Sequence, residues 1–256
     1  MTRRRFYVPR DSIRNGVAAL PPTEAHHLRD VLRVKAGDMV EIFDDSGTGY
    51  TGEVELHGSE VFVQKLESIP SLEFPFRLIL AAALIKSAKF EWMLQKATEL
   101  GVDRIIPLKT RLSEIRITDE KIEDRKERWQ RIVREAAKQC KRPAAPRLEK
   151  PLDFSALLAA EEISQCTKIL FHEKAAEPWQ PKGSLSDRII LCIGPEGGWE
   201  QSEVEQAGKA GYQICGLGPW TLRAETAAIA AISIVQHQIQ LLRSQEQEAR
   251  SQRPTS

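Results

Sequence analysis

Two apolar runs, residues 188–193 and 212–215, each stop at a bend rich in glycine and proline, and each bend opens into a helical run. The first bend reads Gly194-Pro195-Glu196-Gly197-Gly198, and the second reads Gly216-Leu217-Gly218-Pro219. Glycine lets the backbone turn sharply and approach a ligand closely, because no Cβ intervenes. Proline fixes φ and stiffens the bend. In open α/β sheets, ligands settle in the crevice outside the carboxyl ends of the strands. Two strand–bend–helix corners this close in sequence predict one pocket built from both bends.

The residues of the bends narrow the ligand. Neither bend carries Gly-Lys-Ser/Thr or Gly-x-Gly-x-x-Gly, the patterns whose backbone amides cradle phosphates. Glu196 sits inside the first bend and would repel a phosphate from a helix start otherwise suited to one. A neutral or cationic ligand that touches backbone groups fits better. S-adenosylmethionine, a sulfonium without a phosphate, is such a ligand. The competing readings are a pair of ordinary strand-to-helix turns and a Rossmann-type nucleotide site, and Glu196 disfavours the latter.

Ile193-Gly194-Pro195-Glu196-Gly197-Gly198, taken with Leu217-Gly218-Pro219-x-x-Leu222-Arg223-x-Glu225-Thr226-Ala227, resembles the C-terminal signature of the RsmE family. That family comprises SPOUT-superfamily methyltransferases acting on N3 of a uridine in 16S ribosomal RNA. Trp220 stands where the family typically has arginine. The resemblance implies an α/β fold: a SPOUT-type knotted parallel sheet flanked by helices, with an N-terminal small β-barrel PUA-like domain. It implies S-adenosyl-L-methionine as cofactor, the assembled small ribosomal subunit as substrate, a homodimer and a cytoplasmic location. The residues it assigns to the cofactor are Leu170, Ile193, Gly194, Pro195, Glu196, Gly197, Leu217, Gly218, Leu222, Glu225, Thr226 and Ala227. Other RNA positions, or an RNA-binding protein without activity, stay open on motif chemistry alone.

A chain of 256 residues holds one large or two modest domains. The expected division is 1–72 for the PUA-like domain, 73–245 for the methyltransferase domain and 246–256 for a polar, frayed tail. No apolar run reaches membrane-spanning length, and no signal-peptide core follows the basic N-terminus. Cys140, Cys166, Cys192 and Cys215 are far apart and lack finger spacing, so they read as reduced thiols and not as metal ligands. Net charge is only +1, but its distribution is uneven: residues 1–35 hold eight Lys/Arg against three Asp/Glu, and 77–147 hold eighteen against ten. Two such sectors can make an RNA-facing surface, or serve as solvated helix faces.

In the first 72 residues, short strands are expected at 6–8, 39–43, 49–56 and 61–66, with a turn at Asp44–Gly47. Thr23 reads as the N-cap of a helix over 26–32, with Leu28, Val31 and Leu32 turned inward and Arg29 and Arg33 together on one face. His26 and His27 point apart on such a helix, which argues against a metal pair. Candidate phosphate contacts are Arg3, Arg4, Arg5, Arg29 and Arg33. Residues 68–75 read as a linker.

The next stretch predicts strands at 76–84, 103–108 and 168–171. It predicts helices at 86–100, 118–140 and 154–160. Lys86, Lys89 and Gln139 match the family as RNA contacts; Lys96 and Glu99 make a helical ion pair or serve substrate. A last helix is expected over 223–242, where Ala224, Ala227, Ala228, Ala230 and Ala231 offer a small surface for close helix packing, or simply high helix propensity.

N3 of neutral uracil carries a proton that must leave before the nitrogen can attack, which calls for a base or for cations that stabilise the anion. Arg111, Arg142 and Arg223 match family arginines and are the cationic candidates. Glu225 is a candidate base, or a carboxylate that suits the positive end of its own helix. No metal is implied.

Overall fold

The computed structural model describes residues 4–44, 48–70, 76–115, 119–181 and 185–251. In chain order its elements are β1 (Arg5–Tyr7), β2 (Ile13–Arg14), β3 (Val17–Ala19), α1 (Pro22–His26), β4 (Met39–Phe43), β5 (Gly49–His57) and β6 (Glu60–Ile69). There follow β7 (Arg77–Ala83), α2 (Ser87–Glu99), β8 (Arg104–Lys109), α3 (Asp119–Gln139), β9 (Arg147–Leu148), β10 (Leu152–Asp153), α4 (Phe154–Ala159) and α5 (Glu161–Ser164). The last are β11 (Thr167–Phe171), β12 (Arg188–Ile193), α6 (Gln201–Lys209), β13 (Gln213–Cys215) and α7 (Ala224–Ser251). Two compact units result: Met1–Phe74 with Arg131–Pro146, and Pro75–Gln130 with Arg147–Ser256.

The first unit is a curled sheet in the order β1-β4-β5-β6-β3-β2. Only β1 and β4 run parallel; the other neighbours are antiparallel. Alternate residues point inward, as a half-buried strand requires: Val40 and Ile42 on β4 and Val61 and Val63 on β6 meet Phe6, Val8 and Leu28 in one core. Asn15 and Gly16, at φ 50° and 76°, turn the β2–β3 hairpin, a two-residue loop that needs positive φ twice. The second half of α3 also belongs here. Its Lys138 pairs with Glu24 at 2.8 Å, and its Arg134 guanidinium lies 4.5 Å from the Tyr7 ring centre.

Several expectations for this unit are corrected. Helix α1 begins at Pro22 with Pro21 as its cap, so Thr23 is already inside it; proline suits the first helical position because its missing N–H would have no partner there. The turn that follows is wide, with the Leu32 N–H reaching the His27 carbonyl, and Arg33 ends it at φ 52°. Arg29 and Arg33 therefore do not share a helical face, and Val31 is 61% exposed. Ser68 and Ile69 belong to β6 and not to a linker. Arg3, residues 45–47 of the expected turn and residues 71–75 of the expected linker lie outside the described residues.

The second unit is a parallel sheet in the order β10-β8-β7-β12-β11-β13, with β9 beside β8. Its inner strands are continuous apolar runs because both of their faces are covered; Ile189 to Ile193 are all buried. Parallel pairing brings the carboxyl ends of three strands together: Phe171 is level with Ile193 on one side and with Cys215 on the other. Both bends thus leave the same end of the sheet, one strand apart. Buried Ala224, Ala228 and Ala231 accompany the packing of α7 on α2 and β12. Helix α7 runs to Ser251, beyond its expected end at Leu242, and residues 252–256 lie outside the described residues. Cys166, Cys192 and Cys215 are buried thiols outside any disulfide, and Cys140 is half-buried. Burial pushes the Cys192 thiol upward, which keeps it protonated.

Candidate active site

A cleft opens at the ends of β11, β12 and β13. Phe171, His172 and Glu173 line it after β11; Ile193, Gly194, Pro195, Gly198 and Trp199 come from the first bend. Leu217, Gly218, Trp220 and Leu222 come from the second, and Ala224 and Ala227 from the start of α7. One cavity is therefore built from both bends.

Packing explains the glycines. A Cβ at Gly194 would stand 2.9 Å from Nε1 of Trp199. That indole cannot yield easily: it is buried, donates to the Phe171 carbonyl at 3.0 Å and packs on Phe154. Gly198, at φ 76°, closes a turn onto the Pro195 carbonyl and leaves room for the Glu173 carboxylate. Gly216 passes so close to the backbone of Ala175 that a Cβ would collide with its carbonyl oxygen, and its N–H bonds to the Glu177 carbonyl at 2.8 Å.

Charged residues brace the cleft from outside. Glu200 and Glu203 form a capping box at the start of α6, each satisfying a backbone N–H that the helix leaves free. The other oxygen of Glu203 accepts the Arg111 N–H at 3.1 Å, and the Arg111 guanidinium meets Glu200 at 3.0 Å. Lys89 on α2 lies 3.3 Å from Glu196 in the first bend and 3.8 Å from Glu225 on α7. One cation so ties together the two helices and the first bend. The second oxygen of Glu225 is buried without a hydrogen bond.

Of the residues assigned to the cofactor, Ile193, Gly194, Pro195, Leu217, Gly218, Leu222 and Ala227 line the cleft. Leu170 does not; it is fully buried in the sheet's core, and its neighbours Phe171 to Glu173 take the wall. Gly197 packs on Leu112, and Glu196 and Glu225 face Lys89. Thr226 is exposed and not on the wall. Arg111 and Arg223 are exposed beside the two bends. Arg142 is part of the first unit, where its N–H bonds to the Ala137 carbonyl.

The arginines assigned to RNA differ in availability. Arg5 is 9% exposed and stacks its guanidinium over Phe43, so it serves the core. Arg4 bonds to the Leu32 carbonyl. Arg29 holds Asp30 through two hydrogen bonds and also reaches the Gly58 carbonyl; with Arg29 as the main cause, the Asp30 carboxyl falls to about 2. Arg33, Lys86 and Gln139 are exposed. Lys96 makes its pair with Glu99 at 2.8 Å.

Among the described residues the wall contains no lysine or arginine, and its one formally charged side chain is the Glu173 carboxylate. Apolar surface, close backbone and a carboxylate fit a cationic ligand without phosphate, and S-adenosylmethionine meets that description. Among the described residues no group of His, Cys, Asp and Glu could hold a metal ion, and no helix is long and apolar enough to cross a membrane.

Fold and cleft place the second unit among RNA methyltransferase domains: that domain family matches residues 72–236, and the RNA methyltransferase PUA domain matches residues 20–65. A ribosomal RNA small subunit methyltransferase E of Bacillus subtilis is 32% identical over 241 residues, 87% of this chain and 91% of that protein. The chain belongs to the RsmE family. A solved ribosomal RNA small subunit methyltransferase E from Neisseria gonorrhoeae, bound to S-adenosyl methionine, is similar with a TM-score of 0.83 and 28% identity, covering 92% of this chain and 98% of that one. A Legionella pneumophila protein solved with bound SAM is similar with a TM-score of 0.80 and 30% identity, covering 93% and 98%.

Proposed function

We propose that the protein transfers a methyl group from S-adenosylmethionine to N3 of a uridine in 16S ribosomal RNA of the small subunit. The observation that carries this reading is the single phosphate-averse cleft shared by both bends. The substrate named by its relatives and the SAM bound in the solved neighbours support it.

S-adenosylmethionine supplies a methyl on a sulfonium, so the N3–CH3 bond forms as the C–S bond breaks and its electron pair returns to sulfur. The chain must hold the uracil in line and help N3 lose its proton to solvent water. Arg111 and Arg223, exposed beside the bends, stabilise the anionic base. Glu200 and Glu203 hold Arg111 in place. Glu225 is assigned to Lys89 and to the first turn of α7, not to proton removal. Much of the acceleration comes from positioning the reactants. Exposed Arg33, Lys86 and Gln139, together with Arg142, are assigned to RNA, and the 1–72 region acts as the PUA-like RNA-binding domain. Ile234 and Leu241 lie two turns apart on one face of α7, exposed 38% and 45%; they support a homodimer, which sedimentation would detect. A cytoplasmic location goes with the substrate.

Small ribosomal subunits incubated with the protein and labelled S-adenosylmethionine should yield N3-methyluridine by nucleoside mass spectrometry. Arg111→Ala and Arg223→Ala should each lower the rate about 100-fold, as for loss of one oxyanion donor. Methyl on another atom, or none, would refute the assignment.

A further inference from the structure

Trp220 lines the cleft and is nevertheless 82% exposed. The other large aromatics of the wall are committed elsewhere, with Phe171 5% and Trp199 7% exposed. An indole so open adds nothing to the core and leaves apolar surface in water. Its backbone is held: Gly218 adopts φ 123°, Pro219 fixes its own φ, and α7 starts at Ala224. The Trp220 backbone thus sits at a defined place on the rim of a ligand cleft.

The proposed reaction requires a uracil taken out of its stack. Its exposed faces then need a new partner, and an aromatic side chain gives one without reading sequence. We propose that Trp220 is the stacking platform for the target uracil. The inference rests on the methyl transfer proposed above. The cofactor is the competing partner, but Ile193, Leu217, Leu222 and Ala227 already offer it apolar contact, whereas Trp220 faces solvent.

The test compares wild type, Trp220→Ala and Trp220→Tyr. Three quantities are read: S-adenosylmethionine Kd by calorimetry, kcat/KM on small ribosomal subunits, and quenching of indole fluorescence by a uridine-containing RNA. The Trp220 signal is taken as wild type minus Trp220→Tyr. Trp220→Ala should lose about 10-fold or more in kcat/KM, as expected for one lost base–aromatic stack, while Trp220→Tyr stays within about threefold and the cofactor Kd within about twofold. RNA should quench the Trp220 signal. A cofactor Kd raised with RNA parameters unchanged would move the indole to the cofactor and overturn the proposal. Three indistinguishable proteins would overturn it as well. Wild type that transfers no methyl refutes the functional reading alone; absent quenching, read without turnover, refutes the stack.

Discussion

Around the first bend, a Cβ on any glycine would meet a neighbour: the Trp199 indole at Gly194, Leu112 at Gly197 and the Glu173 carboxylate at Gly198, whose φ of 76° also favours glycine. Around the second bend, Gly216 is crowded by Ala175, but Gly218 has open space where a Cβ would go, and it is glycine because of its φ of 123°. The first bend is a wall fixed by packing. The second is fixed at its base and then by backbone conformation alone, which frees Leu217, Trp220 and Leu222 to face the cleft. A packed wall can hold a small cofactor in register against Leu217 and Leu222, while exposed Trp220 on the second bend can meet a larger and more variable substrate.

The comparison can be broken at its glycines. Gly216→Ala should have the largest effect, a loss of about 3 kcal/mol at the upper end of ordinary overpacking, because only backbone can move out of the way; thermal unfolding measures it. Gly194→Ala should cost about 2 kcal/mol, since the indole it meets is itself hydrogen-bonded. Gly218→Ala should cost about 1–2 kcal/mol from strain alone. If Gly218→Ala proved as damaging as Gly216→Ala, the distinction between packing and conformation would fail.

Helix ends offer a smaller and opposite effect. Helices α2 and α6 stop at Gly101 and Gly211, with φ of 88° and 83°. In each, the next N–H reaches back five residues, Val102 to Ala97 and Tyr212 to Ala207. Helix α3 stops in the same way, with Arg142 bonded to Ala137, but the left-handed residue is Lys141 at φ 60°. Lys141→Gly should raise stability by about 0.5–1 kcal/mol, because glycine adopts that conformation without a Cβ clash. A lower melting temperature would mean that the lysine side chain has a structural role.

Much of this was readable before any coordinates. Strands such as β7 and β12 are unbroken apolar runs, and the two bends announce themselves by Gly and Pro. What was missed depends on partners distant in the chain. Lys89 meets Glu196, and Glu203 meets Arg111; no spacing rule links residues so far apart. Leu170 lies one residue before the cleft wall, because family matching does not say which residue of β11 ends the strand. Arg5 read as a free cation because sequence does not reveal the Phe43 ring beneath it. The wide turn after α1 defeated the 3.6-residue pattern that placed Val31 inside. Asn15-Gly16, by contrast, is a strong hairpin signal that the sequence carries on its own.

The central claim is that one ligand touches both bends at once. Titration of the protein with S-adenosylmethionine, followed by amide NMR, tests it most directly. The account predicts that the amides of Gly194, Gly198 and Gly218 shift together, with one Kd and one equivalent of ligand, and that ATP leaves them in place. A response confined to one bend, or tighter binding of ATP, would contradict it.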